Sequence, residues 1–342
     1  MVWKDLSKGN RLAIILPLLF VMLLLFFCLD LTYAPRPLSL KEIWDAFTGN
    51  GSWANNIIIF NFNIKRVIFG LFVGAGLAVT GCAMQAVFKN PLASPYILGL
   101  SSGASLGAAI AILISIPFIP LAIVQPILAF FFCFGTMILV YVVARADHGS
   151  RSETLILSGV AVSSLISALV SLMTYLAPSD KMKDIVFWSM GSLYGVDWEN
   201  MIFAVPIIVL GVLLIWTQAK ELNAMMLGDA HAMDLGVDVR RTRLFILLMS
   251  SLVVAAAVAF VGTIGFIGLV IPHIFRLLLG PDNKVLIPLS ALGGATFIIM
   301  CDYISHMFSQ ITGVIPIGVV TALIGAPFFI YLLMRNRRAV GW

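Results

Sequence analysis

Charge is scarce in this chain. Only 11% of its 342 residues are Asp, Glu, Lys or Arg, while 61% are hydrophobic, and the mean hydropathy is +1.06. A soluble domain cannot hide that much apolar surface, so the bilayer is the solvent. At roughly 20 apolar residues per span, the chain has room for about ten spans and no soluble domain of any size. Cysteine is scarce as well. Cys28, Cys82, Cys133 and Cys301 each fall inside an apolar segment and none forms a CxxC pair, which argues against disulfides and against a metal site. Neither GxxxxGK[ST] nor HExxH occurs, so the chain has no phosphate-cradling loop and no zinc-protease signature. No catalytic residue is expected. If ATP drives this protein, a separate subunit binds the nucleotide with its Mg and hydrolyses it.

What is present is hydrophobic sequence broken at regular intervals. Hydropathy places spans at 12–33, 57–84, 96–115, 119–144, 153–176, 200–219, 242–263, 267–280, 285–308 and 316–334. The fold class is therefore all-α, a single polytopic membrane domain over 1–342. The first run is preceded by Lys4, Lys8 and Arg11, and Thr32-Tyr33-Ala34 faintly resembles a cleavage site. The run is longer than a typical signal-peptide core, so an uncleaved span is preferred. With both termini cytoplasmic, Lys and Arg divide fifteen inside against six outside, as the positive-inside rule requires. The net charge of +5 is thus a topology signal and no reason to invoke nucleic acid. Of the outer loops, 34–56 holds a short amphipathic helix ending at Gly49, and 177–199 dips back toward the membrane. Spans two to five begin outside and spans seven to ten inside, the arrangement of an inverted repeat. Small residues recur at every fourth position in Gly70 and Gly74, and in Gly99, Gly103 and Gly107, as faces for close helix packing.

Few ionisable residues lie within spans, where each is costly. Asp302 and His306 sit one turn apart, and Asp302 reads as the only acid clearly inside a span. His273 and Arg276 lie near the inner end of the eighth. One stretch, 222–241, reads "LNAMMLGDAHAMDLGVDVRR" and is far more polar than its surroundings. Gly228 and Gly236 bracket a short helix, with Asp229 placed to cap its start. Leu222, Met226, Ala230 and Met233 recur at spacings of four, four and three as one apolar face. By spacing alone that face suits either a docking partner or the membrane surface.

Other segments decide between these. "KRVIFGLFVGAGLAVTGCAMQAVFKNPLASPYILGLSSGASLGAA", "WSMGSLYGVDW", "VGTIGFIGLVIPHIFRLLLG" and "PIGVVTALIGAPFFIYLL" closely resemble the permease subunits of iron-siderophore, haem and cobalamin importers, the FecCD family. "LNAMMLGDAHAMDLGVDVRR" is similar to that family's coupling-helix segment. The resemblance implies a type II ATP-binding-cassette importer in the cytoplasmic membrane. Its parts are two copies of this chain as a homodimer, two ATP-binding subunits, and an extracytoplasmic substrate-binding protein. A metal chelate is the implied cargo, ferric siderophore first, then haem or cobalamin, with molybdate or tungstate oxyanion as the alternative. It implies that Leu222, Met225, Met226, Leu227, Gly228, Asp229, Ala230, Leu235 and Gly236 meet the ATPase. It implies a cytoplasmic gate at Asn90, Pro91, Leu92, Ser152 and Glu153, and binding-protein docking by Lys65, Arg66 and His306. Where the family often carries Arg-x-Pro-Arg, this chain has Asn63-Ile64-Lys65-Arg66. It has His306 in place of an arginine and Val314 in place of a glutamate, so the docking surface is weaker or tuned to a differently charged partner. The main rival is an ATP-independent secondary transporter relying on Asp302. An intramembrane enzyme built on His273, Asp302 or His306 lacks a recognisable ligand triad.

Overall fold

Small side chains put one helix at the centre. In the computed structural model, which describes residues 7–34, 36–114, 118–145, 152–309 and 313–335, Trp53–Val87 is one continuous helix of 35 residues. It consists of α3 (Trp53–Ile57), a π-helical stretch (Ile58–Asn63) and α4 (Ile64–Val87). Gly74 of α4 faces Gly294, Gly81 faces Gly268, and Gly76 lies against Ile208 and Val253. A β-carbon at Gly74 or Gly81 would overlap the facing backbone, so main chains meet directly, the way helices associate in lipid. Gly103 and Gly107 are filled in the same manner by the Phe132 and Leu128 carbonyls. These glycine rows are packing seams within the chain.

Around this centre stand α1 (Lys8–Asp30), α5 (Leu100–Leu113), α6 (Leu121–Arg145), α7 (Ser152–Leu176), α9 (Trp198–Thr217), α12 (Val239–Val261), α13 (Ile267–Leu279), α14 (Asn283–Met307) and α15 (Ile317–Arg335). Short elements join them: a two-residue hairpin of β1 (Tyr33–Ala34) and β2 (Arg36–Pro37), α2 (Leu40–Phe47), α8 (Ser179–Met190), α10 (Ala219–Met226) and α11 (Asp229–Asp234). Every expected span falls on a helix. Among the described residues seven helices are long and apolar enough to cross a membrane, while α5, α13 and Ile317–Tyr331 are shorter apolar helices. The amphipathic helix expected before Gly49 is α2, opened by a Ser39–Glu42 capping box and followed by Gly49 at φ +81°. Buried within helices are Cys82, Cys133 and Cys301; Cys28 lies on the open flank of α1.

The short helices have a geometric cause. With 14 and 13 residues, α5 and α13 extend about 21 and 20 Å, less than the ~30 Å hydrocarbon layer. Each follows an irregular stretch that ends in a left-handed residue, Gly99 at φ +75° and Phe266 at φ +66°. The two stretches meet where the Tyr96 hydroxyl donates to the Ile264 carbonyl at 2.8 Å. Irregular backbone at membrane depth is tolerated when protein lines it.

Hydrogen bonds sort the helix ends onto two faces. On one face Lys8 pairs with Asp282 at 2.9 Å, Arg11 donates to the Leu278 carbonyl at 3.2 Å, and Trp216 donates to the Lys284 carbonyl at 3.2 Å. On the other, Asn63 donates to the Leu31 carbonyl at 2.8 Å, Ser192 to Val261 at 2.7 Å, and Ile317 to Gly191 at 3.1 Å. Thus α1, α4, α9, α12 and α14 each run from one face to the other.

Candidate functional site

The polar stretch folds as two short helices broken at Gly228. Gly228 has φ +117° and ψ 149°, a backbone region open essentially to glycine alone. The break divides the apolar set expected on one face. Leu222 and Met225 of α10 are buried against the bundle, and Met226 receives the Arg276 guanidinium on its sulfur at 3.3 Å. Leu227, just before the break, is 67% exposed; beyond it Ala230 is exposed, and Met233 and Leu235 are 59% and 65% exposed. The helix ends as expected, with Gly236 at φ +84°. Asp229 does not cap it. The N-cap is Gly228, and the Asp229 carboxylate instead bridges Lys89 at 2.7 Å and Arg243 at 2.8 Å. Partial burial pushes this carboxyl up. The hydrogen bonds and charges of Arg243 and Lys89 outweigh that and hold it below the usual carboxylate range.

Lys89 belongs to the turn that ends α4 and itself has φ +49°. Next to it, Asn90, Pro91 and Leu92 are half-buried, with the Asn90 side chain accepting from the Leu92 amide at 2.9 Å. Ser152, at the start of α7, donates to the Val87 carbonyl at 3.4 Å, and Glu153 is exposed. The structure therefore gathers four of the five expected gate residues around one turn, on the same face as α11, with Glu153 at its edge. From α7, Ser167 meets Ser102 of α5 at 3.1 Å, and Ser163 and Ser164 donate to their own helix. Residues 99–103 and 103–107 spell GxSxG, but the letters lie at the start of and inside helix α5, not on a strand-to-helix elbow, and carry no nucleophile geometry.

On the opposite face, two residues expected at the docking surface point inward. Arg66 is buried, donating to the Asp30 carboxylate at 3.0 Å and to the Asp30 and Tyr33 carbonyls at 2.9 Å each. Its Nε meets Asp302 at 2.9 Å, and its Nη1 meets His306 Nε2 at 2.7 Å. Arginine only donates, so that ring nitrogen accepts and the imidazole proton sits on Nδ1, which donates to the Asp302 carbonyl at 2.9 Å. His306 is neutral here and offers no charge to a partner. Burial explains the difference: an acid at the end of α1 and another on α14 draw Arg66 between them. Lys65 is largely buried too, its side chain 11% exposed, but it pairs at 2.7 Å with an Asp197 that is 68% exposed, at the edge of a cleft of about 500 Å³. Val314 is exposed, and Asn63 is buried against α1. Asp30, Asp302 and His306 could group three ligand atoms, but the Arg66 guanidinium already fills the space among them.

Sequence reasoning misses three partners. Asp30 lies in the first expected span, so Asp302 is not the only acid inside a span. Its signal was legible: one carboxylate at the end of an apolar run. Lys89 and Asp197 gave no local signal, because each is paired across more than 100 residues.

Comparisons with known proteins identify relatives over most of the chain. The model of the FecCD transport family matches residues 22–335. The cobalamin import system permease protein BtuC of Halobacterium salinarum is 40% identical over 281 residues, 82% of this chain and 74% of that protein. The hemin transport system permease protein HmuU of Yersinia pestis is 36% identical over 302 residues, 88% of this chain and 89% of that one. A solved structure described as an inward-facing ABC transporter assigned to the metal-chelate type superposes with a TM-score of 0.83. It is 33% identical and covers 94% of this chain and 99% of that chain.

Proposed function

Since the chain belongs to the FecCD transport family, we propose that it is the multi-pass permease of a metal-chelate importer in the cytoplasmic membrane, driven by ATPase subunits that dock on α11. The observation that carries this is the α11 segment, where Leu227, Met233 and Leu235 are left exposed among the described residues. Methionine and leucine there suit an adaptable protein contact. Two copies of the chain enclose the pathway, a substrate-binding protein delivers cargo on the face of Lys65 and Asp197, and ATP and Mg bind on the partner ATPase. The cobalamin and hemin permeases named above support a metal chelate as cargo, with molybdate, for which a 37% identical relative is named, as the alternative. The secondary-transporter reading loses its proton carrier, because Asp302 is held by Arg66 at the end of α14.

Co-purification tests this. Gentle solubilisation of the tagged chain should bring an ATPase in equal amount, together with a binding protein whose captured ligand identifies the cargo. A lone chain that transports in liposomes without ATP would sink the proposal. Gly228→Val supplies a second check. Forcing a branched residue into that backbone region costs about 1–3 kcal/mol locally. The α11 face then shifts, so the variant should reach the membrane at normal levels yet retain little ATPase through purification.

A further inference from the structure

We infer that Asp229 is the residue through which movement of α11 reaches the gate turn, acting as a two-ended clasp on Lys89 and Arg243. This rests on the reading that an ATPase docks on α11. One end of the clasp holds Lys89, at the left-handed turn closing α4. The other holds Arg243, whose side chain is 5% exposed near the start of α12. Asp229 is the first residue of α11, directly after the Gly228 break, so the helix can swing about the glycine while its carboxylate stays attached.

From Lys89 the connection continues without a gap. Val87, two residues back, accepts from Ser152 at the start of α7. Further on, the Ile97 carbonyl lies where a β-carbon of Gly159 on α7 would be. The segment 87–99 is thus held by α11 on one side and by α7 at two points on the other. A pull on Lys89 is delivered to the first turns of α7, where the expected gate residues Ser152 and Glu153 stand. Arg243 gives the same carboxylate a fixed anchor on α12, so α11 moves the turn relative to a long helix and not the whole bundle. Physical contiguity proposes such a path; coupling energies must establish it.

The test is a double-mutant cycle in the reconstituted importer, with its ATPase and binding protein present. Asp229→Asn, Lys89→Met and their combination are compared for transport per ATP hydrolysed. Each single variant should lower that ratio about tenfold, within the usual span of coupling between sites. The combination should be no worse than either alone, and Asp229→Glu should recover most of the ratio. ATPase should co-purify in unchanged amount with Lys89→Met, whose residue lies outside the docking segment. Normal transport per ATP in Lys89→Met, or additive losses in the pair, overturns the clasp. Lys89 is partly exposed and replaceable without a buried defect, so that variant decides the matter even if Asp229→Asn fails to fold. Failure of the ATPase to accompany the unaltered chain would instead overturn the docking reading on which the clasp rests.

Discussion

Arg66→Met should leave the chain unable to accumulate as a monodisperse protein, while Asp30→Asn should accumulate normally. The reasoning begins with charge. Two buried carboxylates, Asp30 and Asp302, face one guanidinium, and His306 is neutral because it accepts from Arg66. Removing the arginine strands both acids and the Asp30 and Tyr33 carbonyls, and losing one partner of a buried pair costs about 3–5 kcal/mol. The cluster also ties the end of α1 to α4 and α14, so that end of the first helix loses its main tether. Asparagine at 30 keeps an oxygen for Arg66 and removes the carboxylate in excess, leaving a change of about 1 kcal/mol, the size of one hydrogen bond. Size-exclusion profiles after graded heating in detergent measure both. Equal behaviour of the two variants would show that packing, and not charge, holds this end together. Adding Asp30→Asn and Asp302→Asn to Arg66→Met should restore part of the loss.

Gly81→Val should be the most damaging change on the opposite half of α4. The glycine has the Gly268 backbone where a side chain would begin, and backbone cannot turn aside as a flexible side chain does. Overpacking of this kind costs about 3 kcal/mol, the upper end of the usual range, and it separates α4 from α13. Gly135→Ala on α6 is the matched control, since nothing lies within 4 Å of its added carbon. That change should hold or slightly raise the temperature of aggregation, because alanine favours a helix by about 1 kcal/mol over glycine. If the two variants melt together, the close approach of α4 and α13 is not what fixes the bundle.

The spans were legible because hydropathy is a local property and the bilayer imposes its length. The framed helix 229–234 was legible for a similar reason: Gly228 and Gly236 mark its ends whatever surrounds it. Its apolar face was not, because the 222–233 periodicity runs across a break that only the φ of Gly228 reveals. Docking residues fared worst. Arg66 and His306 sit at plausible outer positions, but their direction is set by Asp30, far away in sequence and on another helix. The shortness of α5 escaped as well, since the turn at 96–99 reads YILG and is as apolar as the helix it precedes.

Three of the four native thiols are walled in, and the fourth sits on the flank of α1 among apolar neighbours. A water-soluble maleimide consequently has little to modify on the unaltered chain. This makes the natural protein a ready background for single-cysteine footprinting, with no need to strip its own thiols and risk holes in the core. A cysteine placed at Leu227 turns the bare apolar surface of the α11 segment into a chemical reporter, labelled in the free permease and silent wherever another protein covers it.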